Sequence, residues 1–477
     1  MTDIEIPVQP TTTASPPGLR TGVLGFPALL AQSIALISPT MTAVLIIPLA
    51  FSNAGEGTWL AYLFGTGMLL FVASNLNQFA RRSTSPGSMY AYIGRGLGPV
   101  GGVMAGWTLL WCYLFIGIAG LTGFTIFGRA ALDLIGIHGA IPSAFFFGVS
   151  AVIAWALTVK DVRLSSMLTL ILEGLSVLLI LGLAFVVLFK HGVHLDTDQL
   201  TLKGTSFRGM SLAVVACIFS LVGFESATAF GGEARNPLRT IPRAVVWSLV
   251  IAGLFFVFMG YVEVYGTRGG DSTLDTLTMP LNTLAQVYDV SFLRLPLSLG
   301  AMISFFALTL SCLNAGARII YPMARHSVFP AALGKTHRAN ATPAAALTTY
   351  ILIMFAVPAV WSSRTDTLTI FNDAGTLAAF GFLLAYFLIA IAAPVHLRKL
   401  GELTRRTTAV SILAILFLLV PTIGSFYPLP AWPVSLFPYL FLTYLALGAA
   451  WLTVTARRHR GILPAIEQDL ELPTPPA

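Results

Sequence analysis

Two carboxylates stand out because they fall inside stretches with almost no other charge. Glu225 follows a glycine in Gly223-Phe224-Glu225-Ser226. An ionised group at the centre of an apolar layer costs at least about 2.5–3.5 kcal/mol. Glu225 must therefore face a wet cavity, find a partner, or carry a proton. It could be the counter-charge of a cationic substrate group, or the carrier of a coupling proton. Glu173 is the second such carboxylate. It lies three residues before Ser176, and side chains three apart share a helix face. It could carry a proton or simply accept structural hydrogen bonds.

A third feature is Ser38-Pro39-Thr40. Pro39 has no N–H and clashes with the carbonyl four residues back. A break there frees backbone groups, which membrane depth tolerates only around a protein-lined cavity; the plain alternative is a proline kink. Freed groups suit a zwitterion. A half-helix N-terminus over Thr40–Thr42, with Met41 between them, would hold a carboxylate through free N–H groups and the positive dipole end. The Thr40 and Thr42 hydroxyls would add hydrogen bonds. Carbonyls near Ser38 and Gly223 would take an ammonium, with Ser226 beside them. Phe219 and Phe224 could wall the side-chain pocket, and Tyr113 is a further candidate; with 33 Phe in the chain, core filler is the competing reading.

The elements that must position these residues follow from composition. The chain has 477 residues, 56% hydrophobic and 10% charged, whereas a soluble protein carries roughly 25% charged residues. Twelve helices of about 22 residues would take up about 264 residues, close to the apolar inventory. The expected fold is thus an all-α polytopic membrane protein. Hydropathy places spans at roughly 26–50, 57–79, 100–127, 140–159, 165–189, 209–232, 244–266, 295–323, 343–361, 367–394, 408–427 and 433–455. A transmembrane β-barrel would alternate apolar and polar residues, and runs such as Ser176–Phe189 do not.

Basic residues orient the spans. With the N-terminus cytoplasmic, twenty of the 27 Lys and Arg fall on the cytoplasmic side and seven on the other, as the retention of positive charge inside requires. The net charge of +7 then records topology and calls for no nucleic acid. Both termini are expected in the cytoplasm of a cell-membrane protein. Residues 1–25 lack the basic region and cleavage site of a secretory signal and read as a disordered tail, as does 457–477. Cys112, Cys217 and Cys312 lie in apolar runs without loop partners, which excludes a disulfide framework. The seven histidines sit at span ends or in loops, so neither a metal centre nor an embedded enzyme is expected, and no cofactor. Filter loops or charged rings of a channel are not evident.

The interrupted spans are the first and the sixth. Five apart, they run in opposite directions and occupy equivalent places in two five-span units, the sequence mark of a midplane binding site. This divides the chain into a ten-span core over 26–400 and two further spans over 401–456.

Three segments resemble the amino acid–polyamine–organocation permease family. Ser220-Leu-Val-Gly-Phe-Glu-Ser-Ala-Thr-Ala-Phe-Gly-Gly-Glu-Ala-Arg-Asn-Pro-Leu-Arg-Thr-Ile-Pro-Arg-Ala244 is similar to its sixth-span signature. Ser85-Pro-Gly-Ser-Met-Tyr-Ala-Tyr-Ile-Gly-Arg-Gly-Leu-Gly-Pro99 resembles its loop between spans two and three. Asn314-Ala-Gly-Ala-Arg-Ile-Ile-Tyr-Pro-Met-Ala-Arg325, followed by Thr342-Pro343, resembles its eighth-span exit. The resemblance implies the leucine-transporter-type inverted repeat with spans 11 and 12 appended, and uptake or exchange of amino acids or polyamines. It places Phe219 where some antiporters have a tryptophan gate. It places Met41-Thr42-Ala43 where relatives have a Gly-Ser-Gly-like turn, and Ser176 where some have a lysine. Ser176, Ser311 and Cys312 lie where a sodium site would form in relatives.

The expected function is secondary transport of amino acids, proton-coupled or by exchange. A polyamine or organic-cation exchanger using Glu225 as counter-charge is the alternative, with sodium symport after it. Smaller expectations complete the picture. Asn372-Asp373 would cap a helix, and Glu263 would be solvated near an outer mouth. Met279–Tyr288 would form an amphipathic external lid. Gly102 and Gly106 would serve packing, and Arg239, Pro242 and Arg243 would anchor a cytoplasmic exit.

Overall fold

A computed structural model describes residues 19, 21–83, 88–139, 141–192, 194–268, 272–337, 340–427, 431–458 and 461–471. The expectations for residues 1–18, 20 and 472–477, and for Ser85-Pro86-Gly87, lie outside the described residues. Described residues are helical or connecting; the one bridge between extended segments joins Leu24 and Ala234.

The helices are α1 (Phe26–Ile37), α2 (Pro39–Met41), α3 (Ile47–Ala54), α4 (Thr58–Ala80), α5 (Met89–Leu134), α6 (Ser143–Lys160), α7 (Val162–His191), α8 (Thr197–Leu200), α9 (Phe207–Leu221), α10 (Pro237–Gly266), α11 (Pro280–Val287), α12 (Arg294–Arg325), α13 (Ala344–Trp361), α14 (Thr367–Lys399), α15 (Arg405–Phe426), α16 (Phe437–Arg458) and α17 (Ile462–Glu471). Eleven helical stretches among the described residues are long and apolar enough to cross a membrane. The first, Phe26–Ala80, has 55 residues, more than twice what one crossing needs. It turns at Gly55, whose φ of 54° suits glycine.

Two breaks match the sequence reading. Ser38 takes a left-handed conformation, φ 51° and ψ 76°, between α1 and α2, and Thr42–Ile46 continue as a π-helix. The chain leaves α9 at Val222, passes Gly223 at φ 102°, and resumes as a 3-10 segment over Phe224–Phe230. Elsewhere the elements outrun the hydropathy windows. Helix α5 starts at Met89, inside the motif expected to be a loop, and bends at Gly98, whose φ is 86°. Gly102 permits that bend: a Cβ there would lie 2.9 Å from the Tyr90 carbonyl. Gly106 likewise admits Met323 of α12.

Helix α5 forms the centre of the bundle, packed between α12 and α14. Small residues allow the approach: a Cβ on Gly120 would meet the Thr309 backbone N at 3.0 Å, and one on Gly381 the Cys112 Sγ at 2.5 Å. The three cysteines are free and buried.

Four expectations are corrected. Asp366 caps α14, accepting from Leu368 N and Thr369 N, whereas Asp373 lies seven residues further on and is buried inside the helix. The cap needs a residue before the first turn, and Asp373 is past it. Glu263 is not solvated but fully buried, one turn before the end of α10. The C-terminal segment is not wholly disordered, because α17 buries Ile462 and Ile466 against the protein. Arg318, tallied with the loop cations of the cytoplasmic side although the 295–323 window contains it, is 1% exposed within α12. The amphipathic segment before α12 is the short helix α11.

Candidate functional site

The two breaks touch. Gly223 sits against the end of α1 so closely that a Cβ would lie 3.0 Å from the Leu36 carbonyl carbon and 3.2 Å from the Ile37 N, and would overlap the Leu36 side chain. Positive φ and this contact together require glycine there. Hydrogen bonds stitch the pair. Ser33 Oγ donates to the Phe224 carbonyl at 2.9 Å and accepts from Ala227 N at 3.2 Å. Ser226 Oγ donates to the Gln32 carbonyl at 3.4 Å.

One polar cluster lies where α1 gives way to α2. Thr40 N and Thr40 Oγ1 both donate to Glu173 Oε1 at 3.2 Å. Thr40 Oγ1 is also 2.9 Å from Ser176 Oγ. Ser304 of α12 donates to the second Glu173 oxygen, and its hydroxyl is 3.4 Å from Ser38 Oγ. Glu173 thus joins α2, α7 and α12, and its carboxylate occupies the half-helix N-terminus expected to receive a substrate carboxylate.

A second cluster surrounds Glu225. Its carboxylate accepts from Tyr113 OH of α5 at 3.1 Å, Tyr386 OH of α14 at 2.8 Å and its own neighbour Gly223 N at 3.1 Å. Phe224 packs on Tyr386 with ring centroids 5.3 Å apart. Glu225 and Tyr113 are fully buried. A carboxylate offers about four acceptor sites, so three donors nearly saturate it.

The remaining expected residues divide. Thr42 opens the π segment, and its buried hydroxyl has no hydrogen-bond partner among the described residues. Met41 is buried beside it. Phe219 stands apart on α9, its ring tip against Gly375 of α14, in a crevice shared with Phe382. Ser311 is seven residues beyond Ser304 and outside the Glu173 cluster; its carbonyl accepts from Gln32. No group of three or more His, Cys, Asp or Glu side chains arranged to hold a metal occurs among the described residues.

Sequence reading missed Ser304, Tyr386 and an ion pair. Arg318 Nε and Nη2 bind the Glu233 carboxylate at 2.5 and 3.0 Å, and Nη1 binds the Asn314 carbonyl and side chain. Both partners are 1% exposed. The Glu233 carbonyl accepts from Val23 N and Leu24 N at 3.0 Å. This tie joins α12, the chain after the 3-10 segment and the entry to α1. Asn314 and Arg318 stand four apart in the eighth-span motif, the one signal that could have found it.

Comparison with known proteins agrees with the geometry. The family described as Amino acid permease matches residues 29–464. The branched-chain amino acid permease BcaP of Bacillus subtilis (strain 168) is 23% identical over 434 residues, covering 85% of this chain and 87% of its own. The low-affinity putrescine importer PlaP of Escherichia coli (strain K12) is 26% identical over 297 residues, 60% of this chain and 63% of its own. The gamma-aminobutyric acid permease of Bacillus subtilis (strain 168) is 25% identical over 386 residues, 74% and 75% of the two chains. A match over nearly the whole chain, on a helical bundle whose two broken helices meet, places this protein in the amino acid permease family.

Proposed function

We infer that the chain carries amino acids across the cell membrane by alternating access around its two contacting breaks, with a proton bound at Glu173 as the driving partner. The observation that carries this reading is the occupation of Thr40 N by Glu173 Oε1. A substrate carboxylate seeks the same N–H. A proton on Glu173 weakens its acceptor strength, and the half-helix N-terminus is then free for substrate. Proton and amino acid would bind together because each removes the obstacle to the other. Thr42, with its unpartnered hydroxyl, is the next donor for that carboxylate.

In this reading the Phe26–Ala80 stretch crosses twice, which makes twelve crossings with both termini cytoplasmic. Residues 26–400 form two inverted five-helix units, and α15 and α16 are appended over 401–456. The Arg318–Glu233 tie closes the cytoplasmic side, and Phe219 against Gly375 narrows the outer one. Sodium is disfavoured because Ser311, the other hydroxyl expected at a sodium site, lies outside the Glu173 cluster and Cys312 beside it offers no side-chain oxygen.

A second reading, exchange of polyamines, draws on the likeness to a putrescine importer. It needs Glu225 as a counter-charge, and its three donors leave little capacity for a diamine. Uptake of labelled leucine, gamma-aminobutyrate and putrescine into proteoliposomes, with and without an imposed proton gradient, tests both. Gradient-driven uptake of an amino acid supports the first reading, and uptake of putrescine alone replaces it with the second. Uptake that follows sodium and ignores the proton gradient removes the proton from the mechanism.

A further inference from the structure

Glu263 is a fully buried glutamate with no role in the transport reading above. Both of its carboxyl oxygens are buried without a hydrogen-bond partner among the described residues. The other fully buried glutamates differ: Glu225 holds three donors, and Glu173 and Glu233 hold at least two each. Leaving a buried carboxyl group unpaired costs several kcal/mol if it is charged, and the carbonyl end of a helix repels negative charge. Glu263 lies one turn from the end of α10, where its own carbonyl accepts from Thr267 N.

A chain of contacts leads from its end of α10 toward the broken α9 segment. One turn before it, Gly260 packs on α4, where a Cβ would lie 3.5 Å from the Tyr62 ring. Tyr62 OH is 3.2 Å from Ser220 Oγ, next to Phe219 and five residues before Glu225. A line of contact thus runs from the end of α10 through α4 to the broken α9 segment. Among the described residues, the elements packed against α10 carry these titratable and charged groups, with Glu225 on the 3-10 segment and Glu173 on α7 lying toward the other half of the helix. Helix α4 presents Tyr62 and α9 presents Cys217. The end of α7 presents Lys190 and His191, the turn after α11 Tyr288, and α10 itself Tyr265 and Arg268. Helices α3 and α11 carry no charged residue. Arg268 is engaged elsewhere, with Glu56, Asp196 and Asp198.

We propose that Glu263 is a second proton-binding site, which holds its proton while the α10 end is sealed and exchanges it when that end admits water. It rests on the reading of the chain as a transporter, but its test does not. A proton on Glu263 lets α10 pack against α4, and release of that proton requires the α10 end to admit water. The site would add a proton step separate from the one at Glu173.

The test is infrared difference spectroscopy of the purified protein without substrate, between about pH 5 and 8, on wild type, Glu263→Gln, Glu173→Gln and Glu225→Gln. The expected result is a protonated-carboxyl band that changes with pH and is lost in Glu263→Gln while persisting in the other two. Should Glu263→Gln fail to fold, Glu263→Asp keeps the acid and must shift the same band. A spectrum of Glu263→Gln identical to wild type overturns the proposal. So does a sheltered band assigned to Glu263 that is constant across the range, since that acid would be structural only. Because the reading is taken without substrate, absence of transport in vesicles leaves it intact.

Discussion

Glu173 Oε1 accepts the backbone N–H of Thr40 at 3.2 Å, so the helix that restarts after the Ser38 break already has a carboxyl group at its head. Helix N-termini favour negative charge by about 0.3–1 kcal/mol at exposed sites and up to about 2 kcal/mol when partly buried. A free amino acid reaching the same point must displace Glu173 or find it neutralised. In the proposed mechanism, that competition is what would convert a proton gradient into substrate movement.

Glu173→Gln removes the competing charge permanently. Amino acid binding should then lose its pH dependence, and gradient-driven uptake should fall about tenfold, the equivalent of about 1.4 kcal/mol, while exchange across the membrane persists. Parallel uptake and exchange assays check this. Unchanged gradient-driven uptake would remove Glu173 from the coupling.

Tyr386→Phe deletes the shortest donor to Glu225. An unsatisfied buried acceptor costs about 1–3 kcal/mol, more for a charged group. The variant should unfold at lower temperature, and the loss should be larger than for Tyr113→Phe, whose bond is longer at 3.1 Å. Thermal unfolding in detergent compares the two.

Gly223→Ala places a methyl group against Leu36 and holds a non-glycine residue at φ 102°. Backbone strain of that kind costs about 1–3 kcal/mol, before the overlap with α1 is counted. Monodisperse protein at wild-type yield and full transport would show that the two breaks need not touch.

Arg318→Met leaves Glu233 buried without its partner, which costs about 3–5 kcal/mol. Replacing both residues with apolar ones should recover most of that stability. It should not restore closure, so cysteines introduced near Leu24 should react faster with a permeant thiol reagent in the double variant than in the otherwise wild-type protein.

Asp366 offers a pH test outside the spans. Hydrogen bonds from the Thr369 hydroxyl, then from Thr369 N and Leu368 N, hold its carboxyl below the usual carboxylate range. Its folded value is the lower one, so the capping contribution is fully present above about pH 4 and is lost as the pH falls through that depressed value. Asp366→Ala should cost about 1 kcal/mol at neutral pH and less in acid, read by thermal unfolding against wild type.

The sequence revealed the breaks because each has a local cause: Pro39 removes a donor, and Gly223 with Glu225 is an improbable pair in an apolar run. It showed that Glu173 and Ser176 share a face, since that needs only helical spacing. It did not show that Thr40 and Ser304 complete the cluster, because that depends on how α2 and α12 cross α7. Tyr386 was hidden for the same reason, as one of 13 tyrosines whose partner lies 161 residues away. Glu263 was expected to be wet because hydropathy locates span ends but not which face of α10 meets α4. Hydropathy points to Asp373 rather than Asp366 as the cap because its windows are soft at their edges, where both residues stand. The prolines of the C-terminal segment suggest disorder and hide α17, although Ile462 and Ile466 have the four-residue spacing of a docked face.

The most direct measurement is substrate protection of a cysteine placed by Thr42→Cys, labelled in proteoliposomes with a small thiol reagent while the buried native cysteines stay unreactive. A transported amino acid should slow labelling in a saturable way, more strongly at acid pH, and the pH effect should vanish when Glu173→Gln is added. Labelling that a transported amino acid leaves unchanged at every pH would place the substrate somewhere other than the meeting point of the two breaks.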